Sequence, residues 1–504
     1  MLAVAHTFTL VGVGARPVGA EVDVHRGLPA FSLVGLPDAA VRESRERVRA
    51  AIVNSGFEFP LRRITASLAP ADLRKAGPAL DLAIAAALLA ASEQLDGAFL
   101  ETHRLAGELA LDGSIRAVPG VIAMAEEGRK QGAEAIAVPG PNVAEAGLVG
   151  GLRVVGLNSL VDLRALSSGE LPEASATNGA GPAGSPDGEE TSKGPDLAEL
   201  RGQPLLRRAL EVAAAGGHNM LIVGPPGAGK SLGARRLPSI LPALGREEAI
   251  EVTRIAGVCG SGPPPGTLAR RPFRSPHHTI SAVGLVGGGL PPRPGEITHA
   301  HLGVLFLDEL GEFSRQALEA LRQPLEDGGI RLTRGVHAVD LPSRFMLVAA
   351  TNPCPCGHGE SSPRCSCAPA TIRRYHSRLS GPLADRIDVA IAIAQPSAEA
   401  LAGDAGETSA TVRERVEAAR TRQLDRLEGR YNAQMSAAEC RAAGLTDSAE
   451  AALAAGHARL ALSGRGYERV LRLSRTIADL DSIEWVDAAH VGEALTFRWR
   501  FGRS

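Results

Sequence analysis

Aromatic side chains are scarce, with 11 Phe, 3 Tyr and 2 Trp in 504 residues. That is too few for an extended platform on which successive bases stack, so contact with the phosphate backbone is the mode left open if nucleic acid is bound. Net charge is also small, 54 basic against 56 acidic residues, and any polyanion site must therefore be a local cluster. Long apolar runs are missing. The longest toward the N-terminus, Leu82 to Ala91, is too short to cross a bilayer, and Met1 to Leu10 lacks the basic and apolar segments of an export signal. The expectation is a cytoplasmic protein with no membrane partner. Only six cysteines are present, and four fall between Cys354 and Cys367; in a cytosolic chain such clustering points to metal rather than disulfides. Cys259 and Cys440 read as ordinary buried thiols.

What is present describes a folded, multidomain chain. The 58 Gly and 34 Pro stay below the level that marks disorder, and the length suggests about three domains. One stretch, 167–195, is made of Gly, Ser, Pro, Ala and acids and reads as a flexible linker. Residues 1–166 before it mix strand-like runs (Phe8 to Val13, Ala135 to Val138, Leu152 to Val155) with helical periodicity. In Asp38 to Ser55, for example, Val41, Val48, Ala51 and Ile52 share a face. After the linker, residues 196–395 carry apolar strands at Met220 to Val223, Leu302 to Leu307 and Phe345 to Ala350 between helical segments, the pattern of a parallel sheet. Residues 396–504 read as a helical subdomain, with helices near Val412 to Leu427, Ala449 to Leu462, Tyr467 to Leu480 and Val486 to Phe497.

The chemistry concentrates in the α/β part. Gly224-Pro225-Pro226-Gly227-Ala228-Gly229-Lys230-Ser231 follows an apolar strand and opens a helix, the context a phosphate-binding loop requires. Its backbone N–H groups would surround the phosphates of ATP, Lys230 would reach the β and γ oxygens, and Ser231 would hold Mg²⁺. A second strand, Val304 to Leu307, ends in Asp308 and Glu309 at the carboxyl edge where ligands bind. Asp308 suits Mg²⁺ and Glu309 the attacking water. A third strand ends at Asn352, which can contact the γ-phosphate or the water. Arg386 and Arg465 are candidates for stabilising the transferring phosphate, although a surface location explains either as well.

In this order, the motifs resemble an AAA+ ATPase of the magnesium-chelatase type. The longer stretches Gly27 to Phe31, Val34 to Asp38, Glu43 to Arg49, Phe273 to Thr279 and Arg475 to Leu480 look like the YifB/ComM family, and the resemblance covers nearly everything except the linker. It implies an α/β fold, a P-loop AAA+ core with a helical lid, preceded by an α+β Lon-protease-like (S5 domain 2-like) domain. It also implies a hexameric homo-oligomer acting as a DNA helicase in branch migration during recombination and natural transformation, on single-stranded or branched DNA. By the same resemblance Asn352 takes the sensor-1 role, Arg386 that of an arginine finger reaching a neighbouring subunit, and Arg465, with Arg469 as a rival, that of sensor 2. The first domain resembles the proteolytic domain of Lon, but Ala79 stands where the nucleophilic serine belongs and Ile122 where the lysine base belongs. No acyl-enzyme can form without them.

Cys354-x-Cys356 and Cys365-x-Cys367 place four thiols within 14 residues among tight-turn Pro and Gly. They resemble a closed Cys₄ structural Zn²⁺ site, with free or redox-active thiols as the alternative and His358 as a weaker substitute ligand. Between Arg331 and Arg386, eight arginines face three acids, and Arg254, Arg270, Arg271 and Arg274 form an acid-free stretch. Phosphates or subunit interfaces would suit either group. Ile330 to Leu341 reads as a β-hairpin, and Arg334 and the His277-His278 loop are the DNA-contact candidates. The leading functional expectation is a ring-shaped, ATP-driven DNA motor. The alternative is a protein-remodelling ATPase similar to the motor subunit of magnesium chelatase.

Overall fold

The computed structural model describes residues 1–170, 195–263, 267–289, 292–334, 337–360, 362–379, 383–442 and 444–498, with the side chains of Arg334, His337, Arg378 and Leu379 excluded. Most of the expected linker, and the tip and Arg334 side chain of the expected hairpin, thus lie outside the described residues. The first part of the chain forms a mixed seven-stranded sheet of β1 (Leu2–Val11), β2 (Gly14–His25), β3 (Ala30–Val34), β4 (Arg63–Ala69), β5 (His103–Leu105), β6 (Ala135–Pro139) and β7 (Arg153–Leu157), in the order β3-β4-β2-β1-β5-β6-β7. β1 and β2 pair antiparallel across Gly12, whose positive φ of 64° closes the turn. Along β2, Val18, Ala20, Val22 and Val24 are buried at every second position, as one covered sheet face requires.

Helix α1 (Ala39–Asn54) begins where the Asp38 carboxylate accepts the Val41 amide, and it buries Val41, Val48, Ala51 and Ile52 as their spacing predicts. Helix α2 (Asp81–Ala91), almost entirely apolar, is buried on all sides, which explains a hydrophobic run with no membrane to cross. No described helix is long and apolar enough to span a bilayer. Helix α3 (Val121–Lys130) carries Ile122 into the interior, and Ala79 is also buried.

The second part is a five-stranded, wholly parallel sheet of β8 (Met220–Val223), β9 (Phe273–Arg274), β10 (Val304–Leu307), β13 (Met346–Thr351) and β14 (Val389–Ala392), in the order β9-β10-β13-β8-β14. Between β10 and β13 the chain makes an antiparallel hairpin, β11 (Gly329–Arg334) and β12 (His337–Pro342). Helices α4 (Pro204–Gly216), α5 (Lys230–Ile240), α6 (Arg246–Val258) and α7 (Pro369–Leu379) accompany the sheet. The three strands expected from sequence are present. β9 and β14 were not anticipated, since runs of two and four residues carry too little periodicity to identify.

Helices α8 (Ser409–Arg426), α9 (Asp447–Leu460), α10 (Gly464–Leu480) and α11 (Ala488–Thr496) form the C-terminal bundle. One continuous core joins them to α4 and to the sheet through Val416, Ala419, Leu473 and Ile477. The Arg420 guanidinium, buried in that seam, donates to the Ala214 carbonyl and stacks 4.0 Å from the Tyr431 ring.

The two parts also touch directly. Val11 and Val13 at the β1–β2 turn pack with Val339 and Leu341 of the hairpin, and Glu126 of α3 meets Arg254 of α6 at 2.7 Å.

Candidate functional site

The strand β8 delivers its carboxyl end directly into the Gly-rich loop, and parallel pairing puts the ends of β10 and β13 beside it. Positive φ at Gly227 and Gly229 (78° and 89°) turns the loop tightly enough for successive N–H groups to converge. Lys230, at the start of α5, is nearly buried and donates to the carbonyls of Gly224 (2.6 Å) and Pro225 (3.0 Å) and to Asn352 Oδ1 (3.0 Å). Burial pushes the pKa of its ammonium down, against the opposing pull of Asp308 and Glu309. Ser231 Oγ donates to Asp308 Oδ2 at 2.6 Å. A hydroxyl and a carboxylate held together beside a lysine form an oxygen donor set that fits Mg²⁺ carried on a nucleotide.

Glu309 follows in left-handed backbone (φ 52°, ψ 48°), uncommon for a non-glycine, so its carboxylate points out of the strand line. It is exposed, and Oε2 lies 3.1 Å from His278 Nδ1. This places the His277-His278 loop against the candidate catalytic carboxylate. From the sequence that loop is a candidate for DNA contact alone. The histidine's partner was not legible, because it lies 31 positions away on another strand end.

Arg386 and Arg465 stand elsewhere. In the parallel pair β8–β14, Met220 faces Val389 and Val223 faces Ala392. Lys230 therefore follows the carboxyl ends, while Arg386 precedes the amino ends. Four residues of strand separate the two edges by roughly 13 Å. Arg386 is nearly buried, ion-paired with Glu326, and its pKa is lowered by that burial. It borders a cavity of about 770 Å³ that Arg465 and Arg469 share. Arg469 is buried and donates to the carbonyls of Ala384 and Ile387 and to Asp385, whereas Arg465 is 65% exposed and 3.7 Å from Asp385. Within one chain, then, the structure unites Lys230, Ser231, Asp308, Glu309 and Asn352, and holds Arg386 and Arg465 together at the opposite edge.

Family models cover most of this architecture. Residues 196–401 match "Magnesium chelatase, subunit ChlI", 20–142 match "Subunit ChlI of Mg-chelatase", and 406–498 match "Magnesium chelatase, subunit ChlI C-terminal". The chain is 43% identical over 502 residues to the protein YifB of Escherichia coli, covering 99% of this chain and 97% of that one. It is 42% identical over 508 residues to the competence protein ComM of Haemophilus influenzae, again covering 99% and 97%. The chain belongs to the YifB/ComM family of magnesium-chelatase-like AAA+ ATPases. A shorter match, 29% identity over 180 residues, links it to Lon protease 2 of Bacillus subtilis, spanning 29% of this chain and 31% of that protein. In this YifB/ComM chain the match agrees with the Lon-like architecture expected of the first domain, whose mixed sheet packs with the buried Ala79 and Ile122.

The four clustered thiols converge. Sγ atoms of Cys354, Cys356, Cys365 and Cys367 all lie within 4.8 Å of one another, and three separations are 3.3, 3.8 and 3.7 Å. A tetrahedron of thiolates about 2.3 Å from Zn²⁺ has edges of roughly 3.8 Å, so the donor set fits that ion with shifts of a few tenths of an ångström to an ångström. His358 is exposed and is not part of the cluster. The turn abuts the nucleotide site: Gly357, at φ 86°, sits so close to Pro226 that a Cβ there would lie 2.8 Å from the ring. His376 of α7 reaches the Pro353 carbonyl at 2.8 Å.

The expected basic stretch 254–274 is largely structural. Arg254 pairs with Glu126, Arg274 binds Glu296 through two bonds of 2.8 and 2.9 Å, and Arg271 donates to the carbonyls of Pro242 and Leu302. Acids distant in sequence supply the partners, leaving Arg270 exposed. Of the two lone thiols, Cys440 is buried as expected but Cys259 is partly exposed.

Proposed function

We propose that the chain is a ring-forming, ATP-hydrolysing DNA motor, a helicase that promotes branch migration in recombination and natural transformation. One observation carries the ring: the phosphate loop and the cluster of Arg386, Arg465 and Arg469 occupy opposite edges of the same sheet. In this reading Lys230 and the loop hold ATP, Ser231 and Asp308 hold Mg²⁺, Glu309 aligns water and Asn352 senses the γ-phosphate. Arg386 and Arg465 of one subunit complete the site of the next. Heterologous contacts of this kind close into a ring, and the family resemblance makes that ring a homo-hexamer. The relative named as a competence protein supports DNA as the substrate, and the buried Ala79 and Ile122 speak against proteolysis.

A second reading, a protein-remodelling ATPase, follows from the match to a magnesium chelatase subunit. Steady-state ATPase activity with no DNA and with single-stranded, duplex and four-way-junction DNA separates the two. DNA stimulation that is lost in Lys230→Ala and Glu309→Gln supports the motor. Lys230-dependent activity indifferent to every DNA overturns it in favour of a protein partner.

A further inference from the structure

The motifs Gly27 to Phe31 and Glu43 to Arg49 take no part in nucleotide chemistry, yet the fold brings them onto one face of the first domain. β3 is the edge strand of the seven-stranded sheet, so one row of its backbone groups has no strand partner. The loop before it and the start of β4 lie side by side: Ala30 is in register with Arg63, and a Cβ on Gly27 would stand 3.2 Å from that of Arg63. Helix α1 flanks them, with the Arg49 guanidinium 5.5 Å over the Phe59 ring and Phe59 in turn 6.1 Å from Phe31. Leu28 (88% exposed) and Leu61 (77%) project from the same rim.

The charge of this face is one-sided. Residues 24–71 hold seven arginines and four acids. Three of the acids are engaged: Asp38 caps α1, Glu43 pairs with Arg47, and Glu46 with Arg45, leaving Glu58. Arg26, Arg42, Arg49, Arg62 and Arg63 are all exposed and make no ion pair among the described residues. Arg42, Arg45 and Arg49 fall at helical spacing on one side of α1. Elsewhere in the protein, by contrast, arginines such as Arg254, Arg274 and Arg415 are matched by carboxylates.

We infer that this face binds the phosphate backbone of a nucleic acid strand. Arg26, Arg62, Arg63 and Arg49 contact phosphates, and Leu28, Leu61 and the Phe31–Phe59 pair offer apolar surface to bases. Unpaired exposed guanidiniums favour phosphate by charge and by their planar donor fork, and a few apolar and aromatic groups suffice for local contact with unstacked bases. The first domain then grips the strand that the ATPase ring moves. The inference rests on DNA being the substrate, but its test separates the two ideas.

The test is fluorescence anisotropy of full-length protein on a labelled 30-nucleotide single strand, from 50 to 300 mM NaCl, with Mg²⁺ and a non-hydrolysable ATP analogue. The triple variant Arg49→Glu, Arg62→Glu, Arg63→Glu is expected to lose tenfold or more in affinity, and its log–log salt slope should flatten by about 2, given ~0.7 per phosphate contact. The matching triple Lys variant should keep both, and DNA-free ATPase activity should be the same in all three proteins. A pair variant, Arg26→Glu with Arg63→Glu, provides the same reading should the triple variant lose that activity. Wild-type binding with unchanged affinity and slope in the Glu variants overturns this inference alone. Loss of assembly by light scattering with intact DNA affinity makes the face a contact with a second copy instead. No DNA binding by the wild type overturns the motor reading as well.

Discussion

His278 Nδ1 lies 3.1 Å from Glu309 Oε2, so a loop that follows β9 touches the carboxylate at the end of β10. The ring of His277 lies beside it, tilted by 34° with centroids 4.1 Å apart. A polar side chain holding the candidate catalytic glutamate in place links whatever displaces that loop to the alignment of water. His278→Ala should raise ATPase activity in the absence of DNA several-fold and shrink the stimulation by DNA. A large fall in both would show instead that His278 positions Glu309 for catalysis.

Lys230→Ala should abolish nucleotide binding, since no other cation lies inside the loop, whereas Glu309→Gln should retain binding and slow hydrolysis by roughly 10² or more. Binding of a fluorescent ATP analogue read beside phosphate release distinguishes the two. Equal loss of binding in both variants would contradict the separate roles.

The separation of Arg386 from Lys230 predicts complementation between subunits. Arg386→Ala and Lys230→Ala proteins should each be inactive alone. After mixing, activity should recover to roughly a quarter of wild type, because random assembly joins an intact lysine to an intact arginine at that fraction of interfaces. Mixtures that stay inactive would place both groups in one chain's site.

Because Gly357 rests on Pro226 and Cys354 follows Asn352-Pro353 directly, the cysteine turn should support the nucleotide site. Elemental analysis should find about one zinc per chain in the native protein. Cys354→Ser should lose the metal and weaken ATP binding, while the DNA affinity of the first domain's arginine face stays unchanged. A metal-free variant with native ATP affinity would make the cluster independent of catalysis.

The Glu296 carboxyl is held below its usual range, chiefly by the hydrogen bond from Arg274, with burial opposing. A carboxyl with depressed folded pKa contributes stability that is present above its unfolded value of about 4.3 and is lost as pH falls through the folded value. Urea midpoints taken from pH 7 down to pH 3 should therefore decline less steeply below about pH 4.5 in Glu296→Gln than in the native chain. Parallel curves would show that the pair contributes nothing to folding. Both side chains are partly exposed, so the effect should be small.

The sequence by itself determined where the phosphate-loop motif, the acidic strand end and the four clustered thiols lie, and with them the fold class. Each rests on neighbours along the chain: a short apolar strand must run into its loop, and two C-x-C pairs near each other can close on one ion. It also located the buried face of α1, because helical period alone decides which residues of Asp38 to Ser55 turn inward.

Only the tertiary structure decided which side chains meet. Arg254 opens a stretch without acids, yet besides Glu251 on its own helix it pairs with Glu126 from 128 positions away. Arg386 reads as a finger for a neighbouring subunit and Arg465 as a sensor, but only the fold shows that both lie at the sheet edge opposite Lys230 of their own chain. The unpaired arginines of the β3 rim looked no different in sequence from the paired ones. Charge partners and sheet edges are set by long-range topology, and local sequence encodes the groups a residue offers but not the groups it finds.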